Sequence, residues 1–196
     1  MTDLPVRPLH GYQIEERIGA GAFGVVYRAF QPGVGRRVAI KVIAPQHADR
    51  PDFIRMFEAE ARVVAQLEHP HIVPLFDSGA AAGYKYYVMP VVRGESLRQR
   101  LDREGALDLG SALRLTIEVC GALDYAHREG IVHRDIKPEN IMVCRRGAEA
   151  DVVNILDFGL VKSLKETQAH TMTLEGTTTG TPAYMAPEVA MSNSFD

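Results

Sequence analysis

The polar stretch from His133 to Asn140 (HRDIKPEN) constrains this chain more than any other feature. Asp135 offers a carboxylate that accepts a proton or orients a hydroxyl group. Lys137 offers a compact positive charge for a phosphate, and Asn140 offers an amide oxygen suited to Mg²⁺. Because Pro138 disfavours a helix interior and apolar residues flank the stretch, we expect a rigid loop between short strands or core segments. The alternative is a polar turn with no catalytic or binding role. The motifs in the rest of the chain distinguish between the two interpretations.

Composition narrows the class of protein. The 196 residues are 46% hydrophobic and 24% charged, as in an ordinary soluble globular protein. The net charge of −3 gives no basic excess for nucleic acid or an anionic membrane. We find no apolar run of membrane-spanning length and no signal sequence, so we expect a cytoplasmic chain without a membrane segment of its own. Tethering to a membrane through a missing C-terminal part stays open as the alternative. Cys120 and Cys144 form no CxxC motif and are predicted to be reduced and structural.

A glycine-rich segment, Gly19 to Gly24 (GAGAFG), lies between two strand-like segments. Glycines allow a tight turn and let the backbone approach phosphates without a Cβ atom in the way. A Rossmann-type glycine turn is the competing interpretation, but that turn begins a helix. Here Val25, Val26 and Tyr27 continue as a strand, so the pattern favours a hairpin that covers phosphates.

Periodicity and turn residues predict the remaining elements. The predicted strands are 38–41, 72–76, 84–92 and 153–156, with a turn at 31–36, a small-residue turn at 79–83 and a polar hairpin connection at 144–151. The predicted helices are 52–67, 97–101 and 108–127. In the last helix, we expect Leu113, Ile117, Cys120 and Leu123 to form the apolar stripe and Gly130 to end the helix. His69 and His71 are two residues apart, as in some metal sites, but with no further ligands nearby we favour a structural role.

Six motifs in this order resemble those of the eukaryotic-type, Hanks-type protein kinase family, in a form similar to its bacterial members. They are the glycine-rich segment, Lys41 at the end of a strand, a glutamate on the following helix, the 133–140 loop, Asp157-Phe158-Gly159, and residues 180–188 (GTPAYMAPE). The resemblance covers residues 11–191, and the loop lysine and the Gly-Thr-Pro sequence are typical of serine/threonine kinases.

The resemblance implies an α+β, bilobal kinase-like fold. We expect a flexible lead at 1–10, an antiparallel-sheet N-lobe with one helix and the hinge at 11–92, and a partial, mainly helical C-lobe at 93–196. The chain stops soon after the Ala-Pro-Glu motif, so we expect an incomplete C-lobe, exposed apolar surface on the 108–127 helix, low stability and poor activity.

The resemblance also assigns roles to individual side chains. Lys41 would bind the α- and β-phosphates of ATP, and Glu60, which fits the family spacing better than Glu58, would orient Lys41. Asp135 would orient the substrate hydroxyl and Lys137 would offset the charge of the γ-phosphate. The remaining implied contacts are ligation of Mg²⁺, with Mn²⁺ as the alternative, by Asn140 and Asp157, and bonds from the Thr181 hydroxyl to Asp135 and Lys137.

The family pattern further implies the residues around the nucleotide. The positions that match it are Ile18, Gly19, Gly21, Phe23, Gly24, Val26, Ala39, Lys41, Met89, Pro90, Val92 and Met142. Pro90 lacks an N–H group but keeps the carbonyl that adenine needs at that position, and Val92 supplies the N–H group. Glu95 could reach the ribose, cap a helix or be solvated. The stacked spine of the family would comprise Val64, Leu75, His133 and Phe158.

The expected function is transfer of the ATP γ-phosphate to serine or threonine hydroxyls of protein substrates. Arg134 beside Asp135 suggests control by phosphate on the 161–180 loop, which we expect to be mobile. Candidate autophosphorylation sites are Thr171, Thr173 and Thr177 to Thr179, with Thr173 and Thr177 first, and self-association would allow the reaction in trans. The alternatives are a non-catalytic nucleotide-binding or interaction module, which the short C-lobe favours, and a small-molecule kinase, which the peptide-type 181–188 segment disfavours.

Overall fold

The computed structural model describes residues 9, 11–21, 24–43, 58, 61–81, 83–158, 182–184 and 187. The chain divides into two compact units, one formed by 1–65 with 74–91 and the other by 66–73 with 92–196. Residues 66–73 belong to the second unit, although the sequence-based division placed them within 11–92.

The first unit contains a five-stranded antiparallel sheet in the order β1-β2-β3-β5-β4. Its strands are β1 (Gln13–Gly21), β2 (Gly24–Gln31), β3 (Arg36–Ile43), β4 (Asp77–Ala81) and β5 (Tyr84–Pro90). The central strand β3 is buried without interruption from Val38 to Ile43, as its run of β-branched residues predicts. The predicted strand pattern before and after the glycine-rich segment, and the turn between β2 and β3, are confirmed.

A hydrophobic cluster on this sheet reaches back to the N-terminal side of β1. It contains Leu9, Tyr12, Ala29, Val38, Ile40, Val42, Tyr86 and Val88. The amide of Tyr12 donates to the carbonyl oxygen of Leu9 at 2.9 Å, and the Leu9 side chain is buried in the cluster. Assignment of Leu9 to a flexible lead at 1–10 was therefore wrong, because this leucine is buried core.

The edge strand β4 lies where the sequence analysis placed a turn. The predicted strand 72–76 is instead irregular apart from one bridge from Ile72 to Ile155, and the ladder with β5 begins at Asp77. A Cβ atom at Gly79 would lie 2.7 Å from the hydroxyl oxygen of Tyr86. The small residues of β4 thus leave room for the Tyr86 ring, and they do not form the turn that their composition indicated. The strand that follows ends at Pro90, earlier than predicted.

Half of the helix predicted at 52–67 lies outside the described residues. Residues 61–64 are helical, and the amide of Ala65 donates to the carbonyl oxygen of Ala61 at 2.9 Å. Ala61 and Val64 are buried, which fits their helical spacing.

Two helices and a three-stranded antiparallel sheet form the described part of the second unit. The helices are α1 (Leu97–Glu104) and α2 (Leu109–Arg128), and the strands, in sheet order, are β6 (Gly94–Ser96), β7 (Ile141–Arg146) and β8 (Glu149–Ile155). In the described ranges, we find no helix with the length and apolar character needed to cross a bilayer. The polar connection predicted at 144–151 is a hairpin turn, but the strands extend into it from both sides.

Side chains fix both helix starts. Ser96 accepts from the amide of Gln99, whose side chain accepts from the amide of Ser96, which is a capping box. Asp108 accepts from the amide of Ser111 at 2.9 Å. Gly130, with φ at 76°, follows the end of α2 as predicted.

The buried face of α2 is not the one with the largest side chains. Ser111, Leu115, Ala122 and Ala126 are buried. The predicted apolar stripe is largely in solvent: Leu113 is 53% exposed, Ile117 is 69% exposed, Cys120 is exposed and Leu123 is half-buried. The two alanines are fully buried and allow the helix to approach its neighbours closely. The expectation that this helix exposes apolar surface is confirmed.

Substitutions on the two faces of α2 test this orientation. Leu115→Ala should lower the free energy of unfolding by about 2–5 kcal/mol because it leaves a cavity. Ile117→Ala should change it by less than about 0.5 kcal/mol, since its side chain is already in water. Urea unfolding of the two variants measures both values. A larger loss of unfolding free energy for Ile117→Ala than for Leu115→Ala would contradict this orientation and show that Ile117 is on the buried face.

Candidate active site

The loop from His133 to Asn140 is rigidly tied to the hairpin that follows it. Its last three residues, Pro138–Asn140, form a 3₁₀ turn with the proline at the first position, and β7 begins at the next residue. The amide of Asn140 donates to the carbonyl oxygen of Lys137 at 2.9 Å. Ile131 before the loop and Ile141 after it are both buried, so the loop is anchored in the core as predicted.

His133 holds the start of the loop against the chain that follows β8. Its side chain is 2% exposed, and its ring centroid lies 4.6 Å from that of Phe158. The His133 Nε2 atom lies 2.8 Å from the carbonyl oxygen of Leu156, and its Nδ1 atom accepts from the amide of Asp135 at 3.2 Å. Burial lowers the pKa of His133, which favours the neutral ring with a proton on Nε2.

Two polar side chains of the loop contact the carboxylate of Asp135. Lys137 Nζ lies 2.9 Å from Asp135 Oδ2. The amide nitrogen of Asn140 donates to the main-chain oxygen of Asp135 at 2.8 Å and to its Oδ2 atom at 3.1 Å. Because the nitrogen of the Asn140 amide makes these bonds, its carbonyl oxygen is the atom left to act as a metal ligand.

The β7–β8 hairpin brings the two predicted metal ligands to the same end of one ladder. Asn140 directly precedes β7, Asp157 follows β8 by two residues, and Ile141 pairs with Ile155. The amide of Leu156 donates to the carbonyl oxygen of Asn140 at 2.9 Å, which extends the ladder beyond the strands. Asp157 has φ at 59°, a left-handed conformation that turns the chain after β8.

This donor set fits a hard divalent cation. An amide oxygen and a carboxylate are ligands that Mg²⁺ accepts, and Mg²⁺ is usually held by one or two carboxylates together with substrate phosphates. Within the described ranges, no group of three His, Cys, Asp or Glu side chains could hold an ion on its own. Asn140 and Asp157 therefore suit a metal ion that binds together with a nucleotide better than an ion that protein side chains alone would hold.

The free edge of β8 is paired by the 66–73 segment and by α2. Val73 N donates to Ile155 O at 3.0 Å, and Ile155 N donates to His71 O at 2.8 Å. Glu118 on α2 accepts from the amide of Val153 at 2.7 Å, and His71 Nδ1 lies 2.9 Å from the carbonyl oxygen of Val153. Sequence reasoning missed Glu118, because one glutamate on a helix carries no signal of such a bond.

The two histidines of this segment have structural contacts. His71 Nδ1 lies 3.3 Å from Glu118 Oε2. The His69 ring stacks on Tyr125 with centroids 5.2 Å apart. The structural role predicted for both is confirmed.

In the first unit, the predicted nucleotide residues on the strands share one face of the sheet. Val26 pairs with Lys41, and Ala39 pairs with Met89. Since paired residues and residues two apart point to the same side, these four side chains lie on one face. Lys41 is buried, with Nζ 5.7 Å from the centroid of the Tyr87 ring.

The β1–β2 hairpin needs glycine at its turn. Gly21 pairs with Gly24, whose φ is 152°. A Cβ atom at Gly24 would lie 2.0 Å from the carbonyl oxygen of Val42, so only glycine fits. Gly19 pairs with Val26, and Ile18 is exposed.

Glu58 is exposed, and its carboxylate also pairs with a lysine. Its Oε1 atom lies 2.8 Å from Lys85 Nζ, and this hydrogen bond lowers the pKa of the Glu58 carboxyl group. Glu58 is thus bonded to β5. Glu60, its competitor for Lys41, lies outside the described residues.

The remaining predicted residues fall on both units. Pro90 ends β5, Val92 lies in the irregular segment before β6, and Met142 is half-buried in β7. Glu95 contacts Arg103, while Ser96 caps the helix.

Of the predicted spine, Val64 is buried, Leu75 is half-buried, and the His133–Phe158 contact is present. Phe23, Thr181 and the threonines of the 161–180 loop lie outside the described residues.

A model of the protein kinase domain matches residues 12–196. The chain belongs to the protein kinase family. Its fold is also similar to solved kinases: a C20A mutant of the Mycobacterium tuberculosis PknI kinase domain matches with a TM-score of 0.70 and 35% identity, covering 82% of this chain and 64% of that one. Rad53 1–466 in complex with AMP-PNP matches with a TM-score of 0.73 and 30% identity, covering 92% and 42%.

Two of the similar curated proteins are bacterial. A probable serine/threonine-protein kinase, PknB of Bifidobacterium longum, is 37% identical over 100% of this chain and 29% of its own length. Serine/threonine-protein kinase pkn3 of Myxococcus xanthus is 38% identical over 94% of this chain and 34% of its own length. The kinase chain therefore spans about a third or less of the length of these relatives.

The buried neutral His133 should make stability depend on pH. The folded-state pKa lies below the unfolded one, so below about pH 6.5 the unfolded state binds the proton more readily and the free energy of unfolding falls. Between pH 7 and pH 5 the unmodified chain should lose on the order of 1 kcal/mol more than His133→Gln. Urea unfolding at both pH values measures this, with His127→Gln as the matched control because the His127 side chain is exposed at the end of α2. Equal losses for the unmodified chain and His133→Gln would contradict a neutral His133.

Proposed function

We propose that this kinase chain is an ATP- and divalent-metal-dependent protein serine/threonine kinase. The observation that carries the proposal is the β7–β8 ladder, which holds Asn140 and Asp157 at one end, beside the Asp135–Lys137 pair. The names of the relatives, which are serine/threonine-protein kinases, support the same activity.

The proposed chemistry is positioning and charge neutralisation. Phosphoryl transfer needs little covalent help from the protein, so the gain comes from oriented groups and fixed charges. Asp135 would orient the attacking hydroxyl through Oδ1 or Oδ2 and accept its proton. Lys137, 2.9 Å from that carboxylate, would neutralise charge on the transferred phosphoryl group, and the Thr181 hydroxyl would bond to both.

Most of the residues proposed to bind the nucleotide lie in the first unit, and Val92 and Met142 belong to the second. Lys41 would bind the α- and β-phosphates, with Glu60 as its predicted partner. Val26, Ala39 and Met142 would enclose adenine, Pro90 and Val92 would bond to its edge, and Met89 would lie behind it. The other proposed contacts are Ile18, Gly19, Gly21, Phe23 and Gly24. Asn140 and Asp157 would hold the cation, which supplies charge neutralisation at the phosphates, and Mg²⁺ is proposed over Mn²⁺.

The proposed substrates are serine and threonine hydroxyls of proteins. Lys137 two residues after Asp135 and the Gly-Thr-Pro sequence at 180–182 support this class. Thr173 and Thr177 are the first proposed autophosphorylation sites. Self-association for the reaction in trans and a cytoplasmic location remain predictions.

A second candidate function is nucleotide binding without transfer. The observation in its favour is the apolar face of α2, on which Leu109 is 74% exposed and Ile117 is 69% exposed. A chain with so much exposed apolar surface has a weakly supported second unit. Such a chain would bind nucleotide without a measurable rate of phosphoryl transfer.

Intact mass after incubation with ATP and Mg²⁺ distinguishes the two functions. The protein is first treated with phosphatase. The unmodified chain should slowly gain one or more phosphoryl groups, and Asp135→Asn should reduce the rate by about 10²–10⁴-fold because the hydroxyl loses its orienting base. Asp124→Asn is the matched control, since Asp124 lies on α2 and pairs only with exposed Arg128 in the described contacts.

The possible outcomes separate the two functions and the role of Asp135. Equal gain by the unmodified chain and Asp135→Asn would contradict the proposed role of Asp135. No gain, together with a nucleotide-dependent rise in melting temperature, would favour the binding module. No gain and no rise would contradict both.

A further inference from the structure

Asp151 has an unusual backbone conformation inside β8. Its φ is 61°, in the left-handed region that disfavours residues with a Cβ atom. It lies where the β7–β8 ladder is irregular: Cys144 pairs with Val152 and Arg146 pairs with Glu149, so two residues of β8 face the single Arg145. Asp151 thus belongs to a β-bulge, a feature that fixes the register and bend of a strand pair.

Glycine would adopt this conformation at lower cost, so the Asp151 side chain needs an explanation. Its Oδ1 atom lies 2.6 Å from Nη1 of Arg100 on α1. The Arg100 side chain is only 12% exposed and its Nε atom also lies 3.1 Å from Glu104. The bond to Asp151 raises the pKa of Arg100. The pair is therefore better shielded from water than a typical surface ion pair.

The bulge sits at one end of the hairpin, and the proposed metal ligands sit at the other. Asn140 and Asp157 are brought together by the same ladder, through the Ile141–Ile155 pair and the bond from Leu156 N to Asn140 O. A slip of β8 by one residue would move Asp157 along the strand by about 3.3 Å and would break that bond. Whatever fixes the bulge also fixes the separation of the two ligands.

We propose that the Arg100–Asp151 ion pair is a positioning device that locks the β7–β8 bulge and thereby sets the geometry of Asn140 and Asp157 for the metal-bound nucleotide. The inference rests on the proposed function for its metal and nucleotide. Arg100 and Asp151 touch neither group and act through the ladder.

Three variants separate the ion pair from the backbone. Arg100→Met removes the charge and keeps most of the side-chain volume. Asp151→Gly permits the left-handed backbone and removes the pair, and Asp151→Asn tolerates that backbone and removes the charge. Arg128→Met is the matched control, because Arg128 forms an exposed pair with Asp124 on α2 at the same distance of 2.6 Å.

The first readout needs no ligand. NMR-detected hydrogen exchange of the Leu156 amide, measured well below the melting temperatures of all variants, reports the bond to Asn140. Exchange should be at least about threefold faster in the three pair variants and unchanged in Arg128→Met. Unchanged exchange in the pair variants would overturn the proposal, whatever the chain binds.

The second readout is the Mg²⁺ dependence of ADP binding, measured by calorimetry. The Mg²⁺ concentration for half-maximal enhancement should rise by about three- to tenfold in the pair variants, while metal-free ADP affinity stays within twofold. If the pair variants melted at a lower temperature but needed the same Mg²⁺ concentration, the Arg100–Asp151 pair would have a purely structural role. That result would overturn the proposal. If the unmodified chain showed no Mg²⁺-dependent ADP binding, the proposed function would fail, and Leu156 exchange would still decide the positioning.

Discussion

The hydrogen-bonded ladder between β7 and β8 is the constraint on which the candidate site depends. Asn140 and Asp157 are 17 positions apart in the chain, yet the pairing of Ile141 with Ile155 places both at one end of the hairpin. An oxygen-ligand pair for a metal is useful only if its separation is fixed, because a loose pair must be ordered again at each binding event. The bond from Leu156 to Asn140 carries this order one residue past the strands.

The rest of the second unit supports the ladder through bonds to its outer edge. The 66–73 segment and Glu118 pair the backbone groups of β8 that the three-stranded sheet leaves open. A buried backbone group without a partner costs free energy, so these bonds also specify where β8 can lie. His133 adds a further link, because its neutral ring joins the loop to the carbonyl oxygen of Leu156. The first unit makes a separate contribution: its ladder aligns Val26, Ala39, Lys41 and Met89 on one face.

Sequence reasoning predicted the kinase family and fold well because the site is local in sequence. A polar loop, glycine at a turn and a run of β-branched residues can each be recognised within ten residues of sequence. Each of these patterns predicts one structural element. The orientation of α2 could not be read in this way. The helix carries large apolar residues on one face and the small residues Ala122 and Ala126 on another. The face with the small residues is the buried one, because it packs closely against its neighbours. The strand at Gly79 was missed for a related reason, since its small residues make room for the Tyr86 ring on the paired strand, and composition alone indicates a turn. The Glu58–Lys85 pair likewise depends on tertiary contact alone.

The central claim, that the hairpin end holds a metal with the nucleotide, is tested most directly by paramagnetic NMR. The isotopically labelled chain is titrated with Mn²⁺ in the presence of ADP, and Mg²⁺ provides the diamagnetic reference. The account predicts selective broadening of amide signals around Asn140 and Asp157, with signals near the buried Leu115 of α2 unaffected. Broadening centred elsewhere, or spread evenly over acidic surface residues, would contradict the assignment of these two residues as the metal ligands.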